Sequence, residues 1–213
     1  MQPFTTLTGV AAPMLQDDIN TDQIAPVQAT RLSRDDRGLL FQRARRREDG
    51  SENPDFVLNR PQFREARILV AGRNFGCGSS REGAVWTMLA NGIRCIVARS
   101  FADIYRENCL QNGLLPIELD GEAADALSRR VVEVDGAAPF AVDLAAQRIT
   151  GPGDTDIAFD VAPSDRMRLL EGLDDIGLTL KEASDIVAFE ERTAHEAPWL
   201  QQARDARLEA ASR

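Results

Sequence analysis

An α/β fold is predicted by three features of the 213-residue sequence: apolar runs alternating with helical patterns over 68–119, a period-two stretch over 131–162, and helical character from Ser164 onward. The first feature is the strongest. Ile68-Leu69-Val70-Ala71-Gly72, Cys95-Ile96-Val97-Ala98 and Leu115-Pro116-Ile117-Glu118-Leu119 are short, largely apolar, and separated by segments long enough for crossover helices. Strands buried on both faces read this way, so a parallel βαβαβ unit is expected here.

Taken in order, residues 1–30 are mixed and extended in character, with Asp17-Asp18-Ile19-Asn20-Thr21-Asp22-Gln23-Ile24 as a polar, turn-prone centre. Residues 31–60 are the most irregular, holding Arg31, Arg34, Arg37, a cluster over Arg43–Arg47, and Glu48-Asp49-Gly50-Ser51-Glu52-Asn53-Pro54. Loops of that length are usually functional or disordered. The cluster Arg43–Arg47 itself reads first as a solvated helix face. After the strand at 68–72, Ala84, Val85, Met88 and Leu89 share a helix face and Asn91-Gly92 stops it. Ser79 and Glu82 have the spacing of a capping box, which predicts a helix start at or beside Ser79. The second helix is expected to open at Ser100, with Asp103 in its first turn, and to stop at Asn112-Gly113. Val131-Val132-Glu133-Val134, Phe140-Ala141-Val142-Asp143-Leu144 and Ile157-Ala158-Phe159-Asp160-Val161 alternate as antiparallel strands do. Residues 1–195 read as a single domain and 196–213 as a polar helical tail, without internal repeats.

Bulk properties narrow the function. With 43% hydrophobic residues the chain can bury a substantial core, and at 6% aromatic that core is mainly aliphatic. A net charge of −9 argues against nucleic acid, where phosphate neutralisation supplies most of the affinity. Lys181 is the only lysine among 25 basic residues, a bias that genomic base composition accounts for as readily as anion binding does. The N-terminus lacks the pattern of a secretory signal, and no apolar run approaches the ~18–20 residues that span a membrane, so a soluble, cytoplasmic protein is expected. Cys77, Cys95 and Cys109 are odd in number and widely spaced, unlike a disulfide framework or a set of zinc or iron–sulfur ligands. No metal site is expected on this chain.

Chemistry concentrates in Gly76-Cys77-Gly78-Ser79-Ser80-Arg81-Glu82. If the helix opens at Ser79, Arg81 lies in its first turn, where a cation opposes the macrodipole at a cost of ~0.3–1 kcal/mol. A local rule broken in this way marks functional sites. Free backbone N–H groups, two hydroxyls and a guanidinium at one helix start make a receptor for a carboxylate or phosphate. A dinucleotide fingerprint fits poorly, because position 81 is Arg instead of a third Gly and the next strand ends at Ala98-Arg99-Ser100 without an acid. A phosphate loop lacks its Lys. A nucleophile elbow lacks its partner, since the only histidine, His195, lies far along the chain in a charge run and reads as a surface residue. Ser79 keeps two readings: a helix cap worth about 1 kcal/mol, or a proton-transfer group whose alkoxide the surrounding positive field stabilises.

Asn74-Phe75 before this stretch and Ser100-Phe101-Ala102-Asp103-Ile104 after it extend a wider pattern. So do Thr21-Asp22-Gln23-Ile24, Asn53-Pro54-Asp55-Phe56-Val57-Leu58-Asn59, Gly113-Leu114-Leu115-Pro116-Ile117 and Gly172-Leu173-Asp174-Asp175-Ile176-Gly177-Leu178-Thr179-Leu180. Together they cover about residues 10–195, and the chain resembles the small subunits of 3-isopropylmalate dehydratases, in the aconitase superfamily. The resemblance implies the swivelling β/β/α domain of that superfamily. It implies a hydro-lyase of the leucine pathway that interconverts 2- and 3-isopropylmalate by loss and readdition of water. It assigns Ser79 as catalytic base, Ser80 and Arg81 to substrate binding, and Asp22 to a supporting role. An Arg of the 31–37 loop completes the anion pocket: Arg34, with Arg31 and Arg37 as alternatives. The partner it implies is the large subunit, which carries the 4Fe-4S cluster, and this chain would bind no cofactor. Gly83 stands where the family usually has His, and Asn20 where many relatives have Asp. Those departures keep a second reading open, a paralogue acting on another hydroxy di- or tricarboxylate such as methylmalate or homocitrate, with the specificity loop at 31–47 making the difference.

Overall fold

The computed structural model describes residues 1–26, 38–78 and 81–199. They fall into two compact units, one spanning Met1–Gly172 and one beginning at Leu173.

Two four-stranded sheets organise the first unit. Strands β2 (Ala11–Met14), β3 (Ile68–Ala71), β4 (Cys95–Ala98) and β5 (Leu115–Glu118) pair in that order and are all parallel. Every residue of β3 and β4 is buried, as their unbroken apolar sequences require of a sheet covered on both faces. Alternation then divides them. Leu69, Ala71, Ile96 and Ala98 enter one core layer, while Ile68, Val70, Cys95 and Val97 enter the other. Crossovers are made by α3 (Gly83–Ala90) and α4 (Asp103–Asn112), the βαβαβ unit expected from the sequence. The second sheet is antiparallel, ordered β1 (Thr6–Gly9), β6 (Phe140–Asp143), β7 (Arg148–Gly151) and β8 (Thr155–Ala158). Phe140, Val142 and Ile149 of this sheet join the second core layer. Helix α6 (Pro163–Glu171) closes the unit, with Leu169 fully buried. The second unit contains α7 (Asp175–Lys181), capped by Asp174 through a 2.7 Å hydrogen bond from Gly177 N, and α8 (Ala183–Glu196).

Three local expectations are corrected. Val131–Val134 is not a strand but the last turn of α5 (Gly121–Val134), whose Ala124, Leu127 and Val131 are buried on one face while Val132 is 52% exposed. Helical spacing over the whole segment outweighs the alternation of its final four residues. Helix α4 begins at Asp103, not Ser100, because the Ser100 hydroxyl accepts a 2.8 Å hydrogen bond from Asn74 N and so tethers a loop instead of capping a helix. Helix α3 begins at Gly83, with Glu82 in the cap position but without a capping bond from its side chain. The Glu82 carboxylate instead accepts from Asn112 Nδ2 at 2.8 Å, and Asn112 Oδ1 accepts from Trp86 Nε1 at 2.9 Å.

A complete capping box does occur, elsewhere. Asn20 caps the single-turn helix α1 (Thr21–Ile24): its Oδ1 accepts from Gln23 N at 2.9 Å, and Asn20 N donates to Gln23 Oε1 at 2.8 Å. A four-residue helix has no intrinsic stability to spare. Replacing Asn20 with alanine is therefore expected to destabilise the chain by about 1 kcal/mol, read as a lower midpoint in urea unfolding.

Candidate active site

The loop that leaves β3 is stitched on both sides. Toward the N-terminal segment, Gly76 N donates to Ile19 O at 2.7 Å, Thr21 N to Cys77 O at 2.8 Å, Asp18 N to Arg73 O at 2.9 Å, and Asn74 Nδ2 to Asp18 Oδ1 at 2.7 Å. Toward the chain after β4, Phe75 N donates to Ser100 O and Ala102 N to Phe75 O, each at 3.0 Å. Phe75 anchors the loop between Phe101 and Tyr105, with ring centroids 6.2 and 5.5 Å away in edge-on geometry. Gly76 takes φ +78° directly against the Tyr105 ring, and Gly78 takes φ +100° beside Thr21. Those left-handed turns demand glycine. They keep the loop from becoming helical early, which is why α3 starts late.

This stitching sets α1 against the end of the loop and pairs Arg81 with Asp22 as a salt bridge. Asp22 lies in the first turn of α1, where an acid is favoured by the helix dipole. Arg81 stands just ahead of α3 instead of inside its first turn, so the guanidinium at the positive end of that helix is compensated by a carboxylate 59 positions earlier in the chain. The pair is partly buried, with side chains 29% and 54% exposed for Arg81 and Asp22. A guanidinium carries five N–H donors in a planar fork, and one carboxylate does not exhaust them.

Of the residues singled out from the sequence, Arg81 and Asp22 are thus brought together. Ser79, Ser80 and Arg34, with Arg31 and Arg37, lie outside the described residues. His195 is an exposed residue of α8. The three thiols do not suit an iron–sulfur cluster. Cys95 and Cys109 are fully buried, and burial pushes both thiols far above their ordinary range, away from the thiolate that a cluster requires. Cys77, in the site loop, is also held high, first by burial and then by nearby Asp18. Among the described residues, no three His, Cys, Asp or Glu side chains converge as a metal site, and no helix is long and apolar enough to cross a membrane.

One feature of the site is absent from the sequence reading. A cavity of about 390 Å³ opens beside Asp22 and Asn20, lined by Met14, Ile19, Phe41 and Phe56, with Arg43 among its polar residues. Arg43, read from sequence as part of a solvated face, borders it from α2 (Gln42–Arg45). The signal that locates α1 was present in Asn20-x-x-Gln23, whereas nothing local announces that Phe41 and Phe56 meet.

Comparison with known proteins agrees with this architecture. Residues 1–122 match the model of the aconitase C-terminal domain, and residues 175–203 match that of the C-terminal domain of the 3-isopropylmalate dehydratase small subunit. Proteins named 3-isopropylmalate dehydratase small subunit from Jannaschia sp. (strain CCS1) and Paramagnetospirillum magneticum are each 51% identical over 202 residues, covering 94% of this chain and all of the relative. A crystal structure of a 3-isopropylmalate dehydratase from Methanocaldococcus jannaschii superposes with a TM-score of 0.55 at 26% identity, covering 87% of this chain and 99% of that one.

Proposed function

Because the chain belongs to the family of 3-isopropylmalate dehydratase small subunits, we propose that it supplies the proton-transfer and carboxylate-binding half of a hydro-lyase site, with the other half supplied by a large subunit. The reaction is the interconversion of 2- and 3-isopropylmalate through elimination and readdition of water. The names of relatives about half identical over nearly the full length favour this substrate over a methylmalate- or homocitrate-type acid.

Elimination begins by removing a proton from the carbon next to a carboxylate. Negative charge then builds on that carboxylate, so a cation fixed beside it lowers the barrier more than it tightens ground-state binding. Arg81 is the residue for this role, and its pairing with Asp22 is the observation that carries the reading. Asp22 orients the guanidinium, so less rotamer freedom remains to be lost when the acid binds. Ser79 takes the proton on Oγ, Ser80 assists in holding the acid, and Arg34 contributes the second cation. The departing hydroxyl needs a Lewis acid, which an iron–sulfur cluster of the large subunit would provide. No step assigned to this chain passes through that cluster, in keeping with thiols that do not suit one. A biosynthetic subunit of this kind works in the cytoplasm.

Reconstitution tests the proposal. The chain and the large subunit, purified without oxygen and mixed, should convert 2-isopropylmalate to 3-isopropylmalate, followed by NMR, with activity saturating at a fixed molar ratio. Neither protein alone should turn over. Full activity of the large subunit by itself would contradict the division of labour.

A further inference from the structure

The cavity beside Asp22 has a composition that the pairing of Arg81 and Asp22 does not explain. Its apolar lining comes from three separated segments: Met14 at the end of β2, Ile19 before α1, and Phe41 with Phe56 flanking the 42–55 excursion. The two rings lie 5.5 Å apart at 51°. Phe41 is held at φ +51°, ψ +34°, a left-handed conformation that a bulky aromatic residue adopts only when its surroundings impose it. What imposes it is visible: Phe41 N donates to Ile24 O at 2.8 Å, and the residue is only 2% exposed. The strain is spent on setting an aromatic ring against the cavity next to α1.

The polar residues complete the picture. Asp22, which lines the cavity, is engaged by Arg81. Arg43 also lines it and takes no part in the ion pairs formed among the described residues. An apolar recess joining a site cation at one side and carrying a second cation suits an acid with an aliphatic branch. It is oversized for a small, wholly polar acid, whose binding would leave the Phe41–Phe56 wall facing water.

We propose that this recess is the specificity pocket for the alkyl substituent of the substrate. The branched aliphatic group rests on Phe41, Phe56, Met14 and Ile19, while Arg81 and Arg43 face the two carboxylates. This rests on the hydroxy-dicarboxylate reading above and adds to it the residues that choose among alkylmalates.

The test uses the assembled two-subunit enzyme and compares kcat/KM for isopropyl- and methyl-substituted malates. Ala44 is exposed on α2 and lines the cavity, so Ala44→Leu narrows the recess without disturbing a core. Its isopropyl-to-methyl ratio should fall by at least about 10-fold, since a single methylene in an apolar pocket is worth about that much, and the loss should lie mainly in the KM of the isopropyl acid. Phe56→Ala enlarges the recess and should move preference toward substituents longer than isopropyl. Ratios within about 2-fold of the unaltered enzyme in both variants, or a proportional loss on both acids, would overturn the pocket while leaving the hydro-lyase reading intact. An unaltered complex that turns over neither acid would overturn that reading, and the pocket with it.

Discussion

Substituting alanine for Ser79 is expected to lower kcat of the assembled enzyme by about 10²–10⁴, the usual worth of a positioned general base. The stability of the chain should barely change. Had Ser79 capped α3, the substitution would cost about 1 kcal/mol, but α3 begins at Gly83 with Glu82 in the cap position. The two readings of this serine therefore predict opposite results. A catalytic Ser79 loses turnover and keeps its unfolding midpoint, while a capping Ser79 does the reverse. Steady-state rates with 2-isopropylmalate and a urea titration of the same preparation separate them. A loss of turnover smaller than about 5-fold would remove Ser79 from the role of base.

The second large effect concerns the loop that delivers this residue. Gly76→Ala is expected to destabilise the chain by about 2–5 kcal/mol, combining a left-handed backbone penalty of about 1–2 with an overpacking penalty of about 1–3. Both causes are explicit. Gly76 sits at φ +78°, and a methyl group there would run into Cβ, Cγ and Cδ1 of Tyr105. Tyr105 cannot retreat, being 2% exposed and packed edge-on against Phe75. The damage should not stay local, because the hydrogen bonds from Gly76 N to Ile19 O and from Thr21 N to Cys77 O hold α1 against the loop and thus Asp22 beside Arg81. Turnover per folded molecule should fall with stability. Chemical unfolding measures the first effect, and an unfolding free energy within about 1 kcal/mol of the unaltered chain would show that the loop has room it is not credited with.

How much of this was legible in the sequence depends on whether the deciding interaction is local. The strands at 68–71, 95–98 and 115–118 are, because a doubly covered parallel strand leaves an unbroken apolar run. Helix ends are legible where glycine closes them: Gly113 takes φ +81° at the stop expected from Asn112-Gly113. Helix starts were displaced because distant partners compete for the capping groups. Asn112 takes Glu82 from across α4, and Asn74 takes Ser100. Helix α5 was mistaken over its last turn because four residues cannot distinguish a period of two from one of 3.6. In the site, Arg81 announced itself by its chemistry, yet the compensation it lacked came from Asp22, in a helix too short to show any period. The cavity was out of reach altogether. Its walls are assembled by a left-handed Phe41, a conformation no propensity favours for that residue.

The central claim is geometric: Arg81, oriented by Asp22, holds a substrate carboxylate while Ser79 faces the carbon that loses its proton. A crystal structure of the two-subunit enzyme with 2-isopropylmalate bound tests it directly. The account predicts a carboxylate of the acid within hydrogen-bond distance of the Arg81 guanidinium, Asp22 still on the same guanidinium, and Ser79 Oγ next to the carbon to be deprotonated. A bound acid held entirely by other groups, with Arg81 engaged by Asp22 alone and Ser79 turned away, would contradict it.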